Sequence, residues 1–244
     1  MKVAVLADIH GNLPALEAVL AEVDVAAPDL VVVCGDVASG PLPAETIDLL
    51  RALPGARFVQ GNADRGLVTS FDGGRQSRLP GPAADWAAAQ LSREQRDFLA
   101  SFSATVAVDV DGLGRVLFCH GSPRSDEEMM TSETADERLR EFMAGVDADV
   151  VVCGHTHMPF DRTSGSVRVI NPGSVGMPYG EPGAHWALLG SEIEMRRTDY
   201  DRNAAAQRIR QSAWPGAEQF ATSNVLSVPS KEEAFAFFRA HGGP

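Results

Sequence analysis

Five short polar motifs hold most of the chemistry this sequence can offer. They are Asp8-Ile9-His10, Gly35-Asp36, Gly61-Asn62-Ala63-Asp64, His120-Gly121 and Gly154-His155-Thr156-His157. Four of the chain's six histidines lie in this set. Neutral imidazoles combined with carboxylate and amide oxygens suit borderline divalent ions such as Mn, Fe, Zn, Co or Ni. Asp8, His10, Asp36, Asn62, His120, His155 and His157 are too many for one tetrahedral site, but they suit two adjacent ions sharing a bridging carboxylate. Two divalent ions bring +4 and the two aspartates remove 2, which leaves about +2 to meet a phosphate dianion. On extended backbone, residues i and i+2 point to the same side, so Asp8 with His10, and His155 with His157, are expected to converge.

Each motif directly follows an apolar run. Residues 3–7, 30–34, 56–60, 115–119 and 149–153 read as strands, several of them apolar throughout, as in sheets buried on both faces. Asn12 can cap a helix whose Leu13, Leu16, Leu20 and Val23 share a face, with Pro14 in its tolerated first turn. A second helix over 46–53 completes a strand–helix–strand–helix–strand order, which implies parallel pairing with right-handed crossovers. In open α/β sheets ligands bind beyond the carboxyl ends of the strands, which is where the five motifs fall.

The rest of the chain supports that frame. Residues 71–82, rich in Gly, Pro and polar types, read as a loop, and 82–102 as two helical pieces, the second opened by a Ser92/Gln95 capping box. Asp111-Gly112-Leu113-Gly114 marks a hairpin between strands at 105–110 and 115–119. Residues 133–145 read as a helix, and 160–198 mostly as short strands. Residues 126–141 are acid-rich, as expected of a solvated helix face and the loop before it. After Tyr200 the pattern turns helical, over 202–213 and again over 231–241 behind a Ser230/Glu233 capping box. This gives a main domain over 1–199 and a helical extension over 200–244, which either covers the cleft or forms a dimer face of a homo-oligomer. His185 and His241 lie outside the motifs and read as structural or surface residues.

Composition excludes several classes. The chain has 244 residues, with 21 Lys and Arg against 33 Asp and Glu, for a net charge of −12. A general binder of long nucleic acid or of an anionic membrane needs a basic face, which this balance does not provide. The three cysteines, with no C-x-x-C pair, do not form a secreted disulfide framework and are expected to be small core packers. No apolar run is long enough for a signal-peptide core or a membrane span, so a cytoplasmic protein is expected.

The five motifs, in this order and spacing from residue 3 to about 158, resemble the signature of the calcineurin-like metallophosphoesterase superfamily. Residues 169–175, with Asn171-Pro172-Gly173-Ser174, and the stretch 35–50 are similar to the small bacterial and archaeal phosphodiesterase branch. The resemblance implies a four-layer αββα sandwich with the metals at the sheet edge. It implies that Asp8, His10, Asp36 and His157 hold one ion, and that Asp36, Asn62, His120 and His155 hold the other. It further implies hydrolysis of a small phosphoester or nucleotide, with a metal-bridging hydroxide attacking phosphorus in line.

This sequence departs from the family pattern at one position. The family has His after the Asn, serving as general acid for the leaving group; this chain has Ala63. Asp64 is then the candidate acid, beside Asn62, and the expected activity is phosphodiesterase rather than monoesterase, on leaving groups that need little protonation. Arg65 and Arg124, which follow motif segments, are candidates for touching phosphate oxygens. The alternative reading is a catalytically weak scaffold that binds a protein partner, like the retromer subunit of the same fold.

Overall fold

The computed structural model describes residues 1–74, 82–241 and 243. The expected loop at 71–82 lies for its greater part outside the described residues.

In the N-terminal half, β1 (Val3–Leu6), β2 (Leu30–Val33) and β3 (Arg57–Phe58) pair in parallel, with Val3 opposite Leu30 and Val33 opposite Phe58. α1 (Leu13–Ala26) and α2 (Pro43–Arg51) make the crossovers. The Asn12 side chain caps α1 by accepting the Ala15 N–H, as its residue type and position suggest. α3 (Asn62–Phe71) begins at the third motif and is followed by α4 (Pro82–Ala89) and α5 (Arg93–Ala100). The Ser92/Gln95 capping box forms at the start of α5.

The second sheet starts with the hairpin β4 (Val106–Val110) and β5 (Gly114–Phe118). After α6 (Asp136–Phe142) come β6 (Val150–Val152), β7 (Phe160–Ser164) and β8 (Val167–Asn171), with β6 parallel to both β5 and β8. The chain then returns to the first sheet as β9 (Ala184–Leu189), antiparallel to β1, and β10 (Ile193–Thr198). The strand orders are β10-β9-β1-β2-β3 and β4-β5-β6-β8-β7.

Side-chain alternation on each strand sorts the apolar residues into layers. Val3, Val5 and Ala7 meet Phe118, Val152 and Ile170 between the two sheets. Ala4 and Leu6 face outward onto Leu16, Val19 and Ile47 of the helices. On the far side, Val151 and Val169 pack with Leu139 and Phe142 of α6. The expected αββα order is therefore present. Cys34 lies in the inter-sheet core, while Cys119 and Cys153 lie in the α6 core; all three are buried and unbridged.

Beyond Tyr200 run α7 (Arg202–Arg210), α8 (Ala217–Phe220) continuing into a π-helical turn (Ala221–Leu226), and α9 (Lys231–Ala240) behind its Ser230/Glu233 capping box. The helical structure over 217–226 is not among the elements expected from the sequence, although its buried Ala217, Phe220, Ala221 and Val225 keep helical spacing; the polar run Thr222-Ser223-Asn224 and the small Ala residues make that pattern weak. Among the described residues no helix is long and apolar enough to cross a membrane.

Candidate metal centre

The five motifs meet at one edge shared by the two sheets. Asp8 and His10 follow β1, Asp36 follows β2, and Asn62 opens α3 after β3. From the second sheet, His120 follows β5, and His155 and His157 follow β6. The expected reason for their convergence needs correction. These segments are not extended: φ is +55° at Asp8, +49° at His10, +55° at Asp36, +66° at His155 and +57° at His157. Each of these side chains is presented by a left-handed residue, a conformation that costs roughly 1–3 kcal/mol per position and collects where function demands a fixed geometry.

The ligating atoms fall into two groups, Asp8–His10–His157 and Asp36–His120–His155, each with its atoms within 4.8 Å of one another. Nε2 of His10 is 3.2 Å from Nε2 of His157, which is 3.4 Å from Asp8 Oδ1. Nε2 of His120 is 3.4 Å from Asp36 Oδ2 and 3.0 Å from Asn62 Oδ1, so Asn62 joins the second group. Asp36 Oδ2 is also 3.7 Å from His10 Nε2, which puts this carboxylate between the groups.

The surrounding backbone fixes these orientations. Nδ1 of His10, His120 and His157 lies 3.3, 2.7 and 2.9 Å from the carbonyls of Ser39, Cys34 and Met177. A carbonyl can only accept, so Nδ1 carries the hydrogen and Nε2 is turned to the centre. Asp36 Oδ1 accepts the Ala63 N–H at 2.8 Å, which leaves Oδ2 facing the histidines. Both oxygens of Asp8 accept the His155 N–H, at 3.1 and 3.0 Å. Gly61 has to be glycine here, since a Cβ would run into the Asp36 carboxylate.

The charges couple strongly. Burial would raise Asp36, but the facing imidazoles, His120 first, hold it well below the usual carboxylate range. Burial would lower His120, yet the Asp36 carboxylate brings it up to about 10. Burial and the neighbouring His120 push His155 down to about 4, and burial also lowers His10. The His10–His157 contact is the most direct test of fit to a cation. Two imidazole nitrogens at 3.2 Å with both Nδ1 hydrogens spent on carbonyls need either a shared proton, which the Asp8 carboxylate favours by raising His157 against its burial, or a metal ion between their lone pairs. Three-atom groups of imidazole nitrogen and carboxylate oxygen, joined by one carboxylate, fit two divalent ions.

The remaining expected site residues stand elsewhere. Asp64 is fully buried and is absent from the cavity lining. Its Oδ2 accepts the N–H groups of Asp36 and Gly61 at 2.8 and 2.9 Å, and its Oδ1 accepts that of Val37 at 2.9 Å. Burial and the Asp36 charge push it up to about 7 against these donors. Its carboxylate thus joins the loop after β2 to the loop after β3. Arg65 pairs with Asp126 and Glu127, and Arg124 with Glu128; neither arginine lines the cavity. These pairs use part of the acidic stretch expected to be solvated.

Two features escaped the sequence reading. Asn171 donates to the carbonyl of Gly154 at 2.6 Å and to Thr156 Oγ1 at 3.1 Å, and Ser174 donates to the Asp8 carbonyl at 2.7 Å. The Asn-Pro-Gly-Ser segment therefore ties the loop after β1 to the loop after β6; its resemblance had marked it without showing what it does. The second feature is the aromatic side chains that the C-terminal helices bring to the site; that this extension covers the cleft is one of the two roles expected for it. A cavity of about 700 Å³ has His10, Asp36, Asn62, Ala63, His155 and His157 in its lining together with Trp214, Phe220, Phe237 and Phe238. His241, exposed as its reading as a surface residue expects, also lines it and stacks on Phe237 with centroids 4.2 Å apart. His185 takes no part and bonds the Glu181 carbonyl.

Comparison with known proteins agrees with this geometry. The family model of the calcineurin-like phosphoesterase superfamily domain matches residues 1–192. The chain belongs to that superfamily. It is 28% identical over 243 residues to the uncharacterised protein MJ0912 of Methanocaldococcus jannaschii, covering 89% of this chain and 97% of that one. It is 26% identical over 204 residues to the phosphodiesterase YfcE of Escherichia coli K12, covering 79% and 89%. Among solved structures, a metallophosphoesterase from Sphaerobacter thermophilus superposes with a TM-score of 0.75 at 27% identity, over 93% of this chain and 98% of that one. In this calcineurin-like phosphoesterase, two groups of residues that could hold a metal ion lie at one edge of the sheets, with alanine at position 63.

Proposed function

We propose that this protein is a dinuclear metal-dependent phosphoesterase that hydrolyses small phosphodiesters, nucleotide diesters included, in preference to monoesters. The observation that carries the reading is the pair of ligand groups joined by Asp36 on the floor of a cavity open to substrate. Asp8, His10, Asp36 and His157 would hold one divalent ion, and Asp36, Asn62, His120 and His155 the other, with Mn, Fe, Zn, Co or Ni all compatible with the donors. When bound, such a pair activates water and neutralises charge on the phosphoryl oxygens.

The chain's own groups set the rest. Ala63, 4% exposed and in the cavity lining, places a methyl group where a proton donor would serve the leaving oxygen. A missing acid costs about 10²–10⁴-fold for a leaving group that needs its proton. Diesters with weakly basic leaving groups are therefore favoured over alkyl monoesters. Asp64 acts as a positioning residue, holding the backbone of Asp36 and Gly61. Three buried thiols without a disulfide are consistent with a reducing compartment such as the cytoplasm.

The test is to load the purified chain with Mn²⁺ and assay bis(p-nitrophenyl) phosphate beside an alkyl monoester. Turnover of the diester, its loss on chelation and its return with Mn²⁺ are expected. Bound metal with no turnover of either ester would overturn the reading.

A further inference from the structure

The wall facing the ligand groups points to what the rest of the substrate is made of. Trp214, Phe220, Phe237, Phe238 and Tyr179 line the same cavity as His10 and Asp36. They come from two separate apolar clusters. One gathers Phe220 with Ala205, Ile209 and Val225, with Trp214 and Met177 packed against it; the other gathers Phe238 with Met158 and Ala234, with Tyr179 packed against it. Both clusters are anchored. Trp214 donates its Nε1 hydrogen to the Ala83 carbonyl at 3.0 Å and meets Phe220 edge-on at 5.7 Å. Tyr179 lies 5.8 Å from the His157 ring and meets Phe238 edge-on at 5.9 Å. Phe237 is 49% exposed, a large apolar ring left half open beside a cavity that already holds other rings.

Charge narrows the choice. Among the described residues lining the cavity there is no Lys or Arg, while the lining includes Glu127. A second phosphate or a carboxylate on the substrate would meet no Lys or Arg among these described lining residues, and the Arg65 guanidinium beside Glu127 is already paired with that carboxylate and with Asp126. A hydroxyl-rich arm fares little better, since the aromatic wall offers few partners and unpaired polar groups are costly to bury. An apolar ring suits all of these conditions and can pair edge-on or offset with the rings already there.

We propose that the substrate is a phosphodiester monoanion whose non-leaving arm is apolar and ring-sized, bound against the aromatic wall that α8, α9 and the segment leading into α8 supply. The proposal rests on the phosphodiesterase reading and extends it to the half of the substrate that the ligand groups do not touch.

A series of p-nitrophenyl phosphodiesters with one shared leaving group and methyl, benzyl or 2-phosphoethyl arms tests it on the Mn²⁺-loaded full chain. KM is expected to fall about tenfold or more from methyl to benzyl, with kcat nearly constant because the arm is held alike in ground and transition states. The 2-phosphoethyl diester is expected to be the poorest substrate. By titration calorimetry the Mn²⁺-loaded chain should bind diphenyl phosphate about tenfold more tightly than dimethyl phosphate, a readout independent of turnover. Phe237→Ser, at a half-exposed position that the fold does not need, should raise KM for the benzyl diester at least about threefold more than for the methyl diester. No turnover of any diester by the metal-loaded chain would overturn the phosphodiesterase reading itself. Turnover indifferent to the arm, or faster with the charged arm, would overturn this inference and leave that reading standing.

Discussion

Replacing Asp64 with Asn separates a positioning carboxylate from a proton donor. Asp64 Oδ2 serves two N–H groups and Oδ1 serves a third. An asparagine keeps one acceptor oxygen and turns the other into a donor. In its better rotamer the amide oxygen serves Asp36 and Gly61, and the Val37 N–H faces an NH2 group. One buried donor left unpaired, plus the charge assistance lost from the other two bonds, costs on the order of 2–4 kcal/mol. For a chain of this length each kcal/mol moves Tm by about 2–4 °C, so a drop of about 4–16 °C is expected by calorimetry. The slack passes to Asp36, whose backbone N–H is one of the three and whose Oδ2 stands between the ligand groups. Metal affinity and turnover should each fall about 10–100-fold. The deciding feature is the dependence on leaving group. A positioning role predicts the same fractional loss for a nitrophenyl diester and for a phenyl diester, whose leaving group is far more basic. A selective loss on the phenyl diester, at unchanged metal affinity, would show that Asp64 donates the proton and that this reasoning fails.

Asp36→Asn should retain the native circular-dichroism spectrum but lose about 10³-fold or more in diester turnover, since several kcal/mol of charge stabilisation go with the shared carboxylate. If the chain were a scaffold, the same variant would keep its partner, and pull-down with wild-type and variant chains tells the two apart. Ala63→His adds an imidazole to the cavity lining and should raise the rate on phenyl or alkyl leaving groups at least about tenfold, within the ~10²–10⁴-fold that a placed acid can supply; an unchanged rate would mean that the proton comes from elsewhere. Asn171→Ala removes the bonds to Gly154 and Thr156, so metal titration should show an affinity lowered about 10–100-fold. Equal affinity would mean that the loop bearing His155 and His157 is held without it.

The two candidate ligand groups were legible because their residues are written locally. An apolar run followed at once by Asp, His or Gly is unusual for a core strand, and its repetition after β1, β2, β5 and β6 marks one sheet edge. The backbone that presents the ligands was not legible, since left-handed φ at Asp8 or His157 depends on hydrogen bonds to distant loops rather than on residue spacing. The surroundings of Asp64 were not legible for a related reason. Its neighbours in sequence are site residues, but its acceptors are used by Asp36 and Val37, from another strand end. Arg65 and Arg124 likewise follow site motifs yet turn to Asp126 and Glu128. The aromatic wall stayed hidden because Trp214 and Phe238 reach the centre through contacts with segments far away in the chain, such as Ala83 and Tyr179.

Each ligand group draws members from both sheets: Asp8 and His10 face His157, and Asp36 faces His120 and His155. Chelation by these groups would therefore act as a rivet across the seam of the sandwich, and occupancy should be felt well away from this edge. Amides of β1 and β6 should exchange more slowly with deuterium in the loaded protein, and the two sheets should unfold as one unit rather than part along their common core.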